Sequence, residues 1–108
     1  MTNQMNIANT ILEQIGGRRF AIMTGAKNFS AMKENSETGQ LGGLMFSIGR
    51  NSKGINKVII RYMANDTYTM EFGTIRKYEY KVKTVVEEVY CDMLTDIFTD
   101  ATGLEVSL

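Results

Sequence analysis

The sequence contains no histidine, no proline and only one cysteine among its 108 residues. Without histidine, the chain lacks the commonest general base and the commonest transition-metal ligand, and nucleophilic catalysis through a Ser–His or Cys–His pair is excluded. A single cysteine can neither form an intrachain disulfide nor supply the ligands of a structural zinc site. These absences sharply restrict the catalytic and metal-binding chemistry that is open to the chain.

Length and composition predict a single folded domain over residues 1–108. Hydrophobic residues make up 44% of the chain and charged residues 22%, which is typical of a globular protein and excludes disorder as its main state. A domain of this mass buries roughly two-thirds of the surface of its unfolded chain. It can therefore form a core without disulfides.

The N-terminal sequence and the hydropathy pattern predict a protein of the cytoplasm with no membrane partner. No apolar run approaches the roughly 18 residues that a membrane span needs. The first residues, Met-Thr-Asn-Gln-Met-Asn-Ile, contain neither the basic nor the apolar region of a secretory signal. A reducing compartment also suits Cys91, which we expect to be a buried or half-buried, inert thiol at the edge of the core.

The spacing of the apolar residues predicts an α+β fold, in which an antiparallel sheet of four or five strands carries an N-terminal and a C-terminal helix on one face. Ile7, Ile11 and Ile15 recur at helical spacing and predict the first helix over residues 4–15. Gly16 is well placed to end that helix, because glycine readily adopts the left-handed conformation of a C-cap.

The C-terminal helix is predicted from an apolar stripe that runs from Val86 to Ala101 at spacings of three and four residues. Glu87 and Glu88 would lie in its first turn, where the helix dipole favours anionic groups. Gly103 would end it.

Alternation of apolar and polar residues predicts the strands between the two helices. We expect strands over residues 19–24, 27–33 (as a continuation beyond a bulge at Gly25), 44–48, 57–63, 67–72 and 76–85. The short connections between them favour a meander. In the last strand, the alternation places Tyr78, Tyr80 and Val82 on the face beneath the helices.

No catalytic residue, cofactor site or metal site is predicted. Asp92, Asp96 and Asp100 are spaced four residues apart and could hold a hard cation, but a solvated acidic helix face is the simpler interpretation. The glycine-rich segments 16–19 and 25–27 do not match a phosphate-binding loop. The chain is therefore predicted to be non-enzymatic, and a small enzyme is the third and least favoured alternative.

The formal net charge is zero, but the charge is unevenly distributed along the chain. Residues 1–86 contain twelve lysines and arginines and six acids, whereas residues 87–108 contain six acids and no base. Such an asymmetry is informative about binding partners.

Five basic residues predict a nucleic-acid interface on the face of the sheet that the helices do not cover. The alternation of the strands should place these residues on that face: Lys57, Arg61, Lys77, Lys81 and Lys83. A pleated surface with this much positive charge can lie on a phosphate backbone. Aromatic side chains that could stack on bases are expected on the opposite face, so an ordinary solvated strand face is the alternative interpretation.

The acidic C-terminal segment favours a different function. Glu88, Asp92, Asp96 and Asp100 would form an anionic face of the last helix, which could dock on a basic host protein and inhibit a defence or replication complex. The same charge split could drive head-to-tail self-association between the basic sheet face and the acidic helix. Such a homo-oligomer would weaken with salt.

A family resemblance is carried by six segments that together span most of the chain: 15–17, 20–29, 90–94, 98–99, 102–104 and 107–108. These segments resemble a group of small, uncharacterised proteins of phages and integrated mobile elements. The resemblance implies a small accessory protein in a bacterial cytoplasm. Proteins of this kind commonly bind nucleic acid or inhibit a host machine and seldom catalyse a reaction. The group has no assigned activity or site, so no residue role is carried over.

Overall fold

The computed structural model describes residues 4–104, the side chains of Gln4 and Met5 excepted. The elements are α1 (Gln4–Ile15), α2 (Gly17–Thr24), β1 (Lys27–Met32), β2 (Gln40–Ser47), β3 (Lys57–Met63), β4 (Tyr68–Arg76), β5 (Glu79–Val89) and α3 (Leu94–Thr102). A single 3-10 turn, Cys91–Met93, precedes α3. Within this part of the chain, no helix is long and apolar enough to cross a membrane.

The five strands form one antiparallel sheet in the order β1-β2-β3-β4-β5, so the predicted α+β fold and the meander are confirmed. The central strand β3 has the predicted bounds, 57–63. Ile60 is paired with Leu44 on one side and with Met70 on the other. Directly paired residues point to the same side of a sheet, so these three side chains share one face. That face is the covered face, and the opposite one, which carries Lys57, Ile59 and Arg61, is the open face.

All three helices pack on the covered face. Phe20 of α2 lies at the centre of the core, where its ring is 5.4 Å from that of Phe46 and 4.9 Å from that of Phe98. Ile11 of α1 and Leu94 of α3 are fully buried in the same cluster. Burial of these side chains stabilises helices that are too short to persist alone in water.

The prediction of a strand over 19–24 was wrong, because this segment forms α2. Phe20 and Thr24, four residues apart, are its buried residues, and the Thr24 hydroxyl donates a hydrogen bond to the Phe20 carbonyl (2.7 Å). Gly25 ends the helix in the left-handed conformation, with φ 71°, and is therefore a C-cap rather than a bulge. Two helices, rather than one, thus precede the sheet.

The prediction of a helix from Val86 to Ala101 was also partly wrong, because α3 begins only at Leu94. Val86 and Val89 belong to β5, which extends four residues beyond the predicted strand end and pairs with β4. Valine favours strands, and pairing with β4 satisfies the backbone of this segment. The predicted end of the helix is confirmed, since the Gly103 amide donates to the Thr99 carbonyl (2.8 Å).

Candidate functional site

The sheet register gathers most of the bases at one end of the sheet. Ser47, Lys57 and Gly73 are neighbours across β2, β3 and β4, so the end of β2, the start of β3 and the β4–β5 turn all lie there. The loop 48–56 projects from the same end. This basic end carries Lys27, Arg50, Lys53, Lys57, Arg76, Lys77, Lys81 and Lys83, together with the acids Glu79 and Asp100. It therefore has a surplus of positive charge.

The opposite end of the sheet is acidic. There β2 starts, β3 and β5 end, and the turn 64–67 joins β3 to β4. This acidic end carries Glu34, Glu37, Asp66, Glu87, Glu88 and Asp92, together with the base Lys33. The molecule is thus polarised along its strands.

The five predicted binding residues do not share the open face, so the prediction of a basic sheet face was wrong. Lys57 and Arg61 lie on the open face, and Lys77 lies in the β4–β5 turn. A bulge in β5 explains the other two. Phe72 pairs with Thr84, but Gly73 pairs with Val82, so Lys83 is an extra residue. Beyond it the alternation is inverted, and Lys81 lies beside Thr74 on the helix-bearing side.

The same bulge turns apolar side chains toward the open face. Tyr80 and Val82 were predicted to be covered by helices, yet they lie on the open face and are exposed. Arg61, which was predicted to contact phosphate, donates a hydrogen bond to Glu71 (2.7 Å), and the Tyr80 hydroxyl donates to the other oxygen of that carboxylate (2.7 Å). Burial, and then the bond to Glu71, raise the pKa of Tyr80 above its ordinary value. Arg61 is therefore occupied within the molecule.

Lys81 and Lys83, which do not lie on the open face, line a groove on the other side of the β4–β5 hairpin. One cavity of about 410 Å³ lies between β5 and α3, and it is lined by Lys53 and Lys83. A second, of about 220 Å³, is lined by Arg76, Lys81 and again Lys83, together with the acid Glu79. The two cavities meet at Lys83 and are together called the hairpin groove, whose basic residues are Lys53, Arg76, Lys81 and Lys83 and whose acids are Glu79 and Asp100.

Side-chain hydrogen bonds hold the loop 48–56 against the hairpin. The Asn56 amide donates to the Ile75 carbonyl (3.0 Å) and accepts from the Ile75 amide (2.8 Å). The Thr74 hydroxyl donates to the Gly54 carbonyl (2.7 Å). Inside the loop, the Asn51 side-chain oxygen accepts a hydrogen bond from the backbone amide of Lys53 (3.2 Å). Lys53 is thereby fixed beside Lys83, whose Nζ donates to the Lys53 carbonyl (3.4 Å).

The side chains of the groove suit anionic ligands. No family model, curated protein or solved structure matches the chain. Within residues 4–104, the one ion pair is Arg61–Glu71. The groove bases therefore carry charge that no carboxylate of this part of the chain pairs with, and anionic groups are the ligands they suit.

The residues of the alternative acidic site are not brought together on one helix. Glu88 lies at a bulge of β5, Asp92 lies in the 3-10 turn, and only Asp96 and Asp100 share α3. Asp100 moreover lines the hairpin groove. Nowhere in the described residues do three acidic or thiol side chains converge as a metal site would require. The anionic surface of this molecule is its acidic end rather than its last helix.

A cleft that the sequence did not predict lies between α1 and the β3–β4 turn. It has a volume of about 400 Å³, and tyrosines 62, 68 and 90 line it. The Tyr62 hydroxyl donates to Asp66 (2.6 Å) and that of Tyr68 to Gln14 (2.6 Å), and burial raises the pKa of Tyr68 to about 12. Cys91 also lines the cleft and is exposed, contrary to prediction. The phenols of Tyr62 and Tyr68 already have hydrogen-bond partners, so the chemistry of the cleft is less open than that of the groove.

Proposed function

We propose that this chain is a non-catalytic accessory protein of a phage or mobile element, which binds nucleic acid in the cytoplasm of a bacterial host through the hairpin groove and the bases around it. The observation that carries the proposal is the surplus of bases at one end of the sheet. Phosphate groups would lie along the groove and displace the counterions of these lysines and arginines. Such contacts recognise the backbone and not the base sequence.

The tip of the hairpin supports a preference for single strands. Tyr78 is fully exposed there and lies next to Lys77. An exposed aromatic ring beside lysines and arginines is the combination that binds unpaired nucleotides. The ring stacks on a nucleobase while the cationic side chains hold the phosphate backbone. Lys77 and Tyr78 also have positive φ angles, 49° and 70°, in a turn where glycine and asparagine are favoured. Unfavourable backbone at an exposed aromatic residue is typical of a functional position.

Fluorescence anisotropy with a labelled single-stranded oligonucleotide, and with its duplex, tests the proposal. We expect binding that weakens steeply between about 0.05 and about 0.4 M NaCl, and a loss of at least about tenfold in affinity for Lys81→Glu with Lys83→Glu. The matched control is Arg18→Glu with Arg19→Glu, which makes the same change in net charge on exposed positions of α2. Absence of binding at low salt, or equal losses in the two variants, contradicts the proposal.

The acidic end supports a second candidate function, which is docking on a basic host protein. Six acids and a single base at this end form a surface that suits a cationic partner. We expect a pull-down from host lysate to recover one protein, and Glu87→Lys with Glu88→Lys to abolish its capture. Asp96→Lys with Asp100→Lys, away from this end, is the control. Equal capture by both variants rules the acidic end out as the docking surface.

A further inference from the structure

We propose that the open face of the sheet is the contact surface of a homodimer, in which two copies pack their sheets back to back. This inference does not rest on nucleic-acid binding, because the hairpin groove lies on the other side of the β4–β5 hairpin and stays accessible in such a dimer.

Part of the open face is apolar where a water-facing sheet would be polar. Toward the β4–β5 hairpin, its side chains are Ile75, Tyr80, Val82 and Val85, which are between 36% and 50% exposed. An antiparallel sheet with one solvated face normally alternates apolar residues inside with polar residues outside. Here the alternation fails, and contiguous apolar surface of this kind marks interaction sites.

The charged groups at the centre of the open face already satisfy one another. Arg61 donates to one oxygen of Glu71, and Tyr80 donates to the other. An unpaired charge would make burial of this face prohibitive, whereas a hydrogen-bonded pair can be covered at a much lower cost. The Tyr80 ring also lies close to Gly73, where a Cβ atom would be 2.5 Å from the ring. The ring therefore occupies the space that a side chain at position 73 would fill.

The area of the face is in the range of a weak, reversible dimer. Five strands at about 4.8 Å spacing and about seven residues at about 3.3 Å rise give a surface of roughly 24 by 23 Å, or about 550 Å². Two such faces bury about 1,100 Å², which is less than the roughly 1,600 Å² of a standard interface and lies in the range of transient complexes.

Charge favours an end-for-end arrangement of the two copies. On the open face, Lys27 and Lys57 lie toward the basic end, whereas Glu87 and Glu88 line a cavity with Met63 at the acidic end. A two-fold axis perpendicular to the strands places the basic end of one copy over the acidic end of the other. Pairing through the edge of β5 is disfavoured, because that edge is bulged and charged.

Sedimentation velocity from micromolar to hundreds of micromolar protein tests the inference. We expect a reversible species of twice the 12.1 kDa monomer mass, whose dissociation constant rises with salt. Val82→Lys should raise that constant at least about tenfold, because it places an unpaired charge in the interface. Ile22→Lys, on α2 and 72% exposed, makes the same change outside the interface and should leave the dimer intact.

Circular dichroism of each variant establishes that it is folded. If Val82→Lys does not fold, Ile75→Lys, which is 42% exposed on the same face, replaces it. A wild-type chain that is monomeric at the highest concentration overturns the inference. A dimer that survives the open-face substitution, or that Ile22→Lys disrupts equally, also overturns it.

Discussion

Tyr78 is the residue whose conformation and exposure are hardest to reconcile with stability alone. Its φ angle of 70° is unfavourable for a side chain with a Cβ atom, and its ring packs on nothing. We predict that Tyr78→Gly increases the free energy of unfolding by about 1 kcal/mol, measured by urea denaturation. The same variant should lose severalfold in affinity for single-stranded oligonucleotides, since stacking contributes about 1–3 kcal/mol per base. Tyr78→Phe, which keeps the ring, should retain binding; if it binds as weakly as Tyr78→Gly, stacking is not the role of this position.

Tyr68 makes stability depend on alkaline pH. Burial raises the pKa of Tyr68 from 10.0 to about 12, so above pH 10 the unfolded chain releases a proton that the folded chain retains. Stability therefore falls as the pH rises from 10 toward 12. We predict a shallower fall for Tyr68→Phe, measured from urea midpoints across this range, and one fewer late-titrating phenol by ultraviolet absorbance. An unchanged slope would show that Tyr68 titrates normally in the folded state.

At the scale of elements, the type of an element could be predicted where the spacing of its apolar residues fits only a strand or only a helix. The alternation over 57–63 fits only a strand, and Val58 and Ile60 are fully buried on the covered face, whereas Lys57 and Arg61 on the open face are not. The six residues of 19–24 fit both, since Phe20 and Thr24 satisfy both a strand and a helix period. Val86 and Val89 likewise fit a helical stripe, although they belong to a bulged strand. Tertiary contacts, which short segments do not encode, decided both cases.

A single bulge explains why the position of the candidate site was not predicted. The sequence shows the surplus of positive charge, but the side of the sheet on which Lys81 projects depends on one extra residue at Lys83. A bulge without glycine leaves no mark in the pattern of residues. The gathering of bases at one end was equally invisible, because it follows from the register of β2, β3 and β4 with one another.

A second bulge, at the end of β5, gives a prediction for that strand. Tyr68 pairs with Val89 and Met70 with Val86, and Glu88 has a φ angle of 56°. Because β-branched side chains are strongly disfavoured in this left-handed region, Glu88→Val should lower the free energy of unfolding by about 1–2 kcal/mol. Glu88→Gly should preserve or raise it. Glu87→Val, beside it without positive φ, is the control for lost charge, and an equal loss there removes the conformational explanation.

At the scale of the whole molecule, zero net charge coexists with two ends of opposite sign. Charges of one sign that crowd a surface repel one another in the folded chain more than in the expanded unfolded chain. Selection for stability alone would mix the two signs, as natural surfaces usually do. The segregation therefore costs stability, and the proposed binding of an oppositely charged partner at either end would offset that cost.

This argument predicts opposite effects for one type of substitution at the two ends. Lys81→Glu removes a base from the neighbourhood of Arg76 and Lys83, so at low salt it should raise the free energy of unfolding by a few tenths of a kcal/mol. Lys33→Glu removes the lone base near Glu34 and Glu37, so it should lower stability by a similar amount. Both variants have the same net charge, so urea midpoints at monomeric concentrations separate local repulsion from net charge. High salt should erase both shifts, because exposed charges are screened within about 10 Å. If both variants shift the free energy of unfolding in the same direction, net charge explains the effect. The segregation of charge would then have no measurable cost in stability.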